Sequence, residues 1–217
     1  MHNFKEFLQN RLQQPLPGKI AQDIMQPMPA NGRRTAISYN PNNKGIRNSS
    51  VLVPIIAWNG TMEVVLTLRT MGIRHGGQIC FPGGGTEGSE TIEETALREA
   101  HEEIGLIESS VKIAGSLSPL YINHSENMVR PIVGFIEKEQ KFTANPNEVE
   151  EIFTVPFSEL IEKKNHIRQE WKLRDVPYNV PFWDVHHVPL WGATAMMMSE
   201  LMELYKEFLV SSEVNKL

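Results

Sequence analysis

Phe81-Pro82-Gly83-Gly84-Gly85-Thr86-Glu87-Gly88-Ser89-Glu90-Thr91-Ile92-Glu93-Glu94-Thr95-Ala96-Leu97-Arg98-Glu99-Ala100-His101-Glu102-Glu103-Ile104-Gly105 reads as a glycine loop running into a helix over residues 90–104. Thr91 followed three residues later by Glu94 forms a capping box, and Glu90, Glu93 and Glu94 complement the positive end of the helix dipole. Gly105 is placed to end the helix in the left-handed conformation. Ile92, Ala96, Ala100 and Ile104, four apart, supply a buried stripe.

The far end of the same helix breaks the stability rules. Glu99, Glu102 and Glu103 occupy its last turns, where the dipole disfavours each anion by roughly 0.3–1 kcal/mol. At i, i+3 and i+4 they share one face within about 6 Å along the axis. Such a cluster repels itself unless hard divalent cations neutralise it. Oxygen-only donors select Mg²⁺ or Mn²⁺, and Mg²⁺ shares its shell with substrate phosphates. A solvated acidic face is the competing reading of an isolated E-x-x-E-E triplet.

Outward from this segment, Val51–Ile56 and Met62–Leu68 are aliphatic runs separated by Asn59-Gly60, a tight-turn pair, and predict two antiparallel strands. Further strands are expected at 111–121, 129–137, 151–155, 166–173 and 179–185, with a short helix at 157–164. Residues 192–209 place Ala195, Met198, Leu201, Met202, Tyr205, Phe208 and Leu209 at three- and four-residue steps, a helix with one apolar face. Phe4, Leu8 and Leu12 predict a helix over 3–13, and the proline- and Asn-rich stretch after it predicts an extended, partly mobile lead-in. Strands interleaved with helices predict an α/β or α+β sandwich on a mixed sheet. The expected organisation is a helix and lead-in over 1–49, one domain over 50–210 and a tail over 211–217.

The chain has 217 residues, 41% hydrophobic and 22% charged, which excludes wholly disordered, collagen-like and coiled-coil classes. A net charge of -5 disfavours nucleic acid as partner, because that affinity grows with the number of phosphates neutralised. No apolar run approaches the roughly 20 residues of a membrane helix. The opening residues predict neither a secretory signal nor a transit peptide, hence a cytoplasmic location. Cys80 is the single cysteine, so a cysteine-built zinc site is excluded; on a predicted strand it reads as a small buried hydrophobe.

The segment from Gly84 to Leu106 resembles the signature of the Nudix hydrolase family, G-x5-E-x7-R-E-U-x-E-E-x-G-U, where U is aliphatic. Gly84, Glu90, Arg98, Glu99, Glu102, Glu103, Gly105 and Leu106 match it, with Ala100 a small occupant of the first aliphatic position. The resemblance implies a loop-helix-loop on an α/β/α sandwich with a mixed sheet, and hydrolysis of a nucleoside diphosphate linked to another moiety. By position it assigns the metal ions to Glu99, Glu102, Glu103 and the Gly83 carbonyl. The resemblance likewise implies that Arg98 orients the carboxylates and that Glu90 braces Arg98. Either Glu99 or Glu102 is the candidate general base, and sequence does not separate them.

Upstream, Leu66 to Gly84 resembles the extra motif of the coenzyme A pyrophosphatase subfamily, L-L-T-x-R-[SA]-x3-R-x3-G-x3-F-P-G-G. Thr67, Arg69, Gly77 and Phe81-Pro82-Gly83-Gly84 match. Thr70 departs from Ser or Ala, and the stretch from Arg69 to Gly77 is one residue short, so Arg74 matches only with a gap before it. The substrate-binding set is then Arg69, Arg74, His75 and Gly84, with arginine forks suited to the 3′-phosphate of coenzyme A. A structural ion pair for Arg69 and a backbone-bonded loop residue for His75 are the competing readings. ADP-ribose or another nucleotide derivative is the alternative substrate, and a homodimer is allowed. Glu148 and Glu151 are each open as metal ligand, base or surface charge. His186 and His187 share a turn that suits solvent better than chelation, and Met196, Met197, Met198 and Met202 suit core or dimer packing.

Overall fold

The computed structural model describes residues 2–32, 45–58 and 60–214. In chain order the elements are α1 (His2–Arg11), α2 (Lys19–Gln22), β1 (Met28–Pro29), β2 (Arg47–Trp58), β3 (Thr61–Arg69), β4 (Ile79–Cys80), β5 (Gly83–Gly85) and α3 (Ile92–Ile104). They continue with β6 (Val111–Ser116), β7 (Leu120–Ile122), β8 (Asn127–Ile136), β9 (Val149–Pro156), α4 (Phe157–Ile161), β10 (His166–Leu173), β11 (Val176–Trp183), β12 (Leu190–Trp191) and α5 (Gly192–Val214).

Among the described residues the larger sheet has eight strands, with β4-β3-β2-β8-β6 in order and β5, β7 and β9 pairing with β2, β8 and β3. Only β2 and β8 run parallel; the other pairings in this sheet are antiparallel, so the sheet is mixed. The strands alternate their side chains between two cores. On one face Leu52, Val65 and Ile132 pack with Ala96, Ala100 and Ile104 of α3. On the other Val53, Val64, Leu66 and Phe135 pack with Phe4 and Leu8 of α1 and Met198, Leu201 and Met202 of α5. This is an α/β/α sandwich, in agreement with the expected fold class. The smaller sheet is a β10-β11 hairpin in which β11 also pairs with β1 and β12.

The antiparallel pair expected at 51–56 and 62–68 is present, with Ile55 opposite Val64. Asn59 of its turn lies outside the described residues, as do 33–44, which contain much of the proline- and Asn-rich stretch, and 215–217 of the tail. Three expectations need correction. Residues 17–29 are not simply extended: they form α2, a 3-10 turn over Asp23–Met25 and β1. The cause is Glu200 of α5, fully buried, whose carboxylate accepts the Gly18 N–H at 2.8 Å, the Ser118 N–H at 3.1 Å and hydroxyl at 2.6 Å, and the Gln22 amide at 3.3 Å. A buried carboxylate demands such donors, and supplying them orders the segment. The strand expected over 111–121 is broken after Ser116 and resumes as β7. The last helix runs to Val214, past 209. Met197, Met198 and Met202 are buried in the core.

Candidate active site

Helix α3 starts as its sequence requires. The Thr91 hydroxyl accepts the Glu94 N–H at 3.2 Å and the Glu94 carboxylate accepts the Thr91 N–H at 2.8 Å, completing the capping box. It ends at Gly105 with φ 65° and ψ 27°, a left-handed cap. Ala96, Ala100 and Ile104 are fully buried, and burying an isoleucine contributes about 1.5–3 kcal/mol. Two backbone carbonyls in the last turn are satisfied by donors from another segment, Asn145 N–H to Glu103 and Thr143 N–H to Ile104, each at 2.9 Å.

Arg98 is the hub between loop and helix. Its Nε donates to Glu90 at 2.6 Å, its Nη2 to Glu90 at 3.2 Å and to the Gly85 carbonyl at 3.0 Å, and its Nη1 to Glu99 at 3.0 Å and Glu102 at 3.1 Å. The bonds from Arg98 to Glu90, with the Glu87 N–H and the Thr95 hydroxyl, hold the Glu90 carboxyl down at about 2. The Arg98–Glu90 brace expected from the family resemblance is thus present as a geometric fact.

The three carboxylates are not equivalent. Glu99 and Glu102 converge on one nitrogen of Arg98, so their oxygens can surround a single positive charge. Glu103 turns away into the protein at 1% exposure, accepting from Arg69 Nη1 at 3.0 Å and from the Gly83 N–H at 3.1 Å. Burial pushes its carboxyl up to about 7, against the opposing pull of Arg69 and the Gly83 N–H. Burial also raises Glu99, with Arg98 opposing it. Gly84 packs so closely on Glu99 that a Cβ there would fall on its carboxylate. The fold therefore keeps a side-chain-free loop against an oxygen-only donor set, a setting that fits a hard divalent ion.

Arg69 is in an ion pair with Glu103, as one reading of it expected, and its Nη2 lies 3.9 Å from Glu148. The basic loop after it carries Arg74 and His75, both exposed, with His75 at φ 61°. Two further residues, which sequence reasoning missed, face this loop. The rings of His75 and His124 are 6.2 Å apart, and Arg174 at the β10-β11 turn adds its field to both. Burial lowers the pKa of His75, followed by Arg74 and Arg69; burial lowers that of His124, followed by Arg174. His124 and Arg174 lie in separate turns far along the chain, and no local pattern links them to residue 75.

Glu148 and Glu151 part company. Glu148 stands by Arg69 at the carboxylate end of β3, whereas Glu151 lies beside His186. His186 is not turned to solvent as expected: its side chain is 10% exposed and stacks on Phe153, while His187 is exposed. Cys80 is half-buried as a residue, its thiol 3.1 Å from the Thr67 hydroxyl and its pKa raised by burial.

Comparison with known proteins agrees with this geometry. Residues 48–175 match the NUDIX domain family. Nudix hydrolase 3 of Caenorhabditis elegans is 36% identical over 174 residues, covering 71% of this chain and 72% of that one. The NudL Nudix hydrolase of Photorhabdus laumondii is 36% identical over 161 residues, covering 72% and 84%. The peroxisomal coenzyme A diphosphatase NUDT7 of Mus musculus is 30% identical over 157 residues, covering 71% and 66%. Among solved structures, the Nudix hydrolase RenU of M. smegmatis superimposes with a TM-score of 0.51 at 18% identity, covering 83% of this chain and 94% of that one, a likeness of fold.

Proposed function

The chain belongs to the Nudix family and is a hydrolase, and from that premise we propose that it cleaves the diphosphate of coenzyme A or its thioesters. Water adds to one phosphorus, the P–O–P bond breaks, and the products are 3′,5′-ADP and 4′-phosphopantetheine or its acyl derivative. The observation that carries the proposal is the junction at Arg69: bonded to Glu103 of α3, it begins the loop that holds Arg74 and His75. A basic cluster thus adjoins the carboxylate cluster, as a substrate with a diphosphate and a separate phosphate monoester requires. The mouse relative, a coenzyme A diphosphatase, supports the same choice.

Glu99, Glu102 and Glu103, with the Gly83 carbonyl, are the proposed holders of Mg²⁺ or Mn²⁺. Such an ion offsets charge on the diphosphate and lowers the pKa of water. The protein's own contribution is positional. Arg98 holds the Glu99 and Glu102 carboxylates side by side, and an oxygen of one of them takes the proton of the attacking water. Gly84, lacking a Cβ, leaves room beside the loop for the Glu99 carboxylate. Arg74 and His75 hold the distant phosphate, and a cytoplasmic location completes the proposal.

The test is an assay panel of coenzyme A, 3′-dephospho-coenzyme A and ADP-ribose with each metal and product identification. Coenzyme A should give the highest kcat/KM, falling about tenfold or more without the 3′-phosphate, the scale of a lost charge-assisted contact of 1.5–3 kcal/mol. Faster turnover of ADP-ribose, the alternative substrate, would reassign the specificity.

A further inference from the structure

On the face of the large sheet opposite α3, three donors meet that the hydrolytic site does not use. Glu151 and Phe153 are two residues apart on β9 and share a face. Phe153 packs with the α5-side core, while Ile152 packs with the α3 side. His186, in the loop between β11 and β12, lies flat on Phe153 with ring centroids 4.2 Å apart and planes at 16°. Its Nε2 is 3.3 Å from a Glu151 carboxylate oxygen. The His187 ring follows at 4.1 Å from that of His186, and one donor atom from each of Glu151, His186 and His187 lies within 4.8 Å of the others.

We propose that Glu151, His186 and His187 form a second metal site, distinct from the α3 carboxylates, that takes a borderline divalent transition ion such as Zn²⁺. Two imidazoles and one carboxylate are the donors such an ion prefers, whereas the oxygen-only set on α3 suits Mg²⁺ or Mn²⁺. The 3.3 Å separation matches one edge of a tetrahedral shell, about 3.4 Å for bonds near 2.1 Å. His186 is already fixed by stacking, so its ordering entropy is spent on folding. His187 is exposed and free to close the remaining gap, leaving the fourth position to water. The cost falls on one contact: Nδ1 of His186 accepts the Val188 N–H at 3.2 Å, and an ion at Nε2 moves the ring proton to Nδ1 and ends that bond. The ion would tie the loop at 184–189 to the edge strand β9.

Zn²⁺ titrated calorimetrically into the full chain, with Mg²⁺ saturating throughout, tests the site. One equivalent should bind, with the His186 and His187 ring proton resonances shifting in step. Changes outside the first shell alone cost metal sites about 10- to 100-fold in affinity, so His187→Ala should weaken binding by at least about tenfold, and Glu151→Gln likewise. His187 is exposed and its replacement leaves the Phe153 stack in place, so circular dichroism should show an unchanged fold. Glu102→Gln should bind Zn²⁺ like the parent. The proposal is overturned if no Zn²⁺ binds over Mg²⁺, if His187→Ala binds it as tightly, or if Glu102→Gln abolishes binding.

Discussion

The two ends of α3 carry similar acidic side chains under opposite physical conditions. At the start, Glu90 and Glu94 sit where the dipole favours them and find N–H, hydroxyl and guanidinium donors. At the finish, Glu99, Glu102 and Glu103 sit where the dipole opposes them; Arg98 draws Glu99 and Glu102 together, while Arg69 and the Gly83 N–H fix Glu103 in the interior. Acids placed with the local rules serve the fold. Acids placed against them need another justification, and the family's metal-dependent hydrolysis supplies it.

The sharpest way to break this contrast is Glu102→Gln. Glu102 is half exposed and Arg98 keeps its bonds to Glu90 and Gly85, so the melting temperature should stay unchanged. The kcat should fall by about a hundredfold or more, the range for losing a carboxylate engaged in proton transfer or in holding the ion. Steady-state kinetics with a thermal melt reads both. A fully active Glu102→Gln protein would make the far end of the helix ordinary surface.

The reverse result is expected at the near end. Thr91→Ala removes the hydroxyl that accepts the Glu94 N–H, and losing such a cap costs about 1 kcal/mol. Urea unfolding should show that loss with the slope unchanged, and kcat should hold, because Arg98 is still fixed by Glu90. A drop in kcat matching that of Glu102→Gln would erase the distinction between the two ends.

Both ends of α3 were legible in the sequence because their signals are local: a capping box, a four-residue apolar period, a terminal glycine and three acids within five residues. What was not legible depends on distance. The order of residues 17–29 rests on Glu200, and the approach of His124 and Arg174 to His75 on turns far apart in the chain. The side on which Glu151 falls turns on a register shift between Leu68 and Arg69 of β3. Val149 and Glu151 would share a face of a regular strand; instead Val149 packs on the α3 side and Glu151 stands with His186. Sequence alternation alone cannot locate such a bulge.

Glu90 offers the finest measurement of the comparison, since it belongs to the structural end yet holds Arg98, the residue that organises the functional one. Its carboxyl is held at about 2, below an ordinary value of 4.5, first by the Arg98 bond and then by the Glu87 N–H. A depressed folded-state pKa adds stability that is present above 4.5 and disappears as the pH falls through about 2. A carbon-detected NMR titration of the Glu90 carboxyl should therefore find its midpoint near 2, and Arg98→Ala should move it back toward 4.5. An unshifted midpoint in the parent protein would mean that the brace does not hold in solution, and that the convergence of Glu99 and Glu102 on Arg98 has lost the support that fixes it.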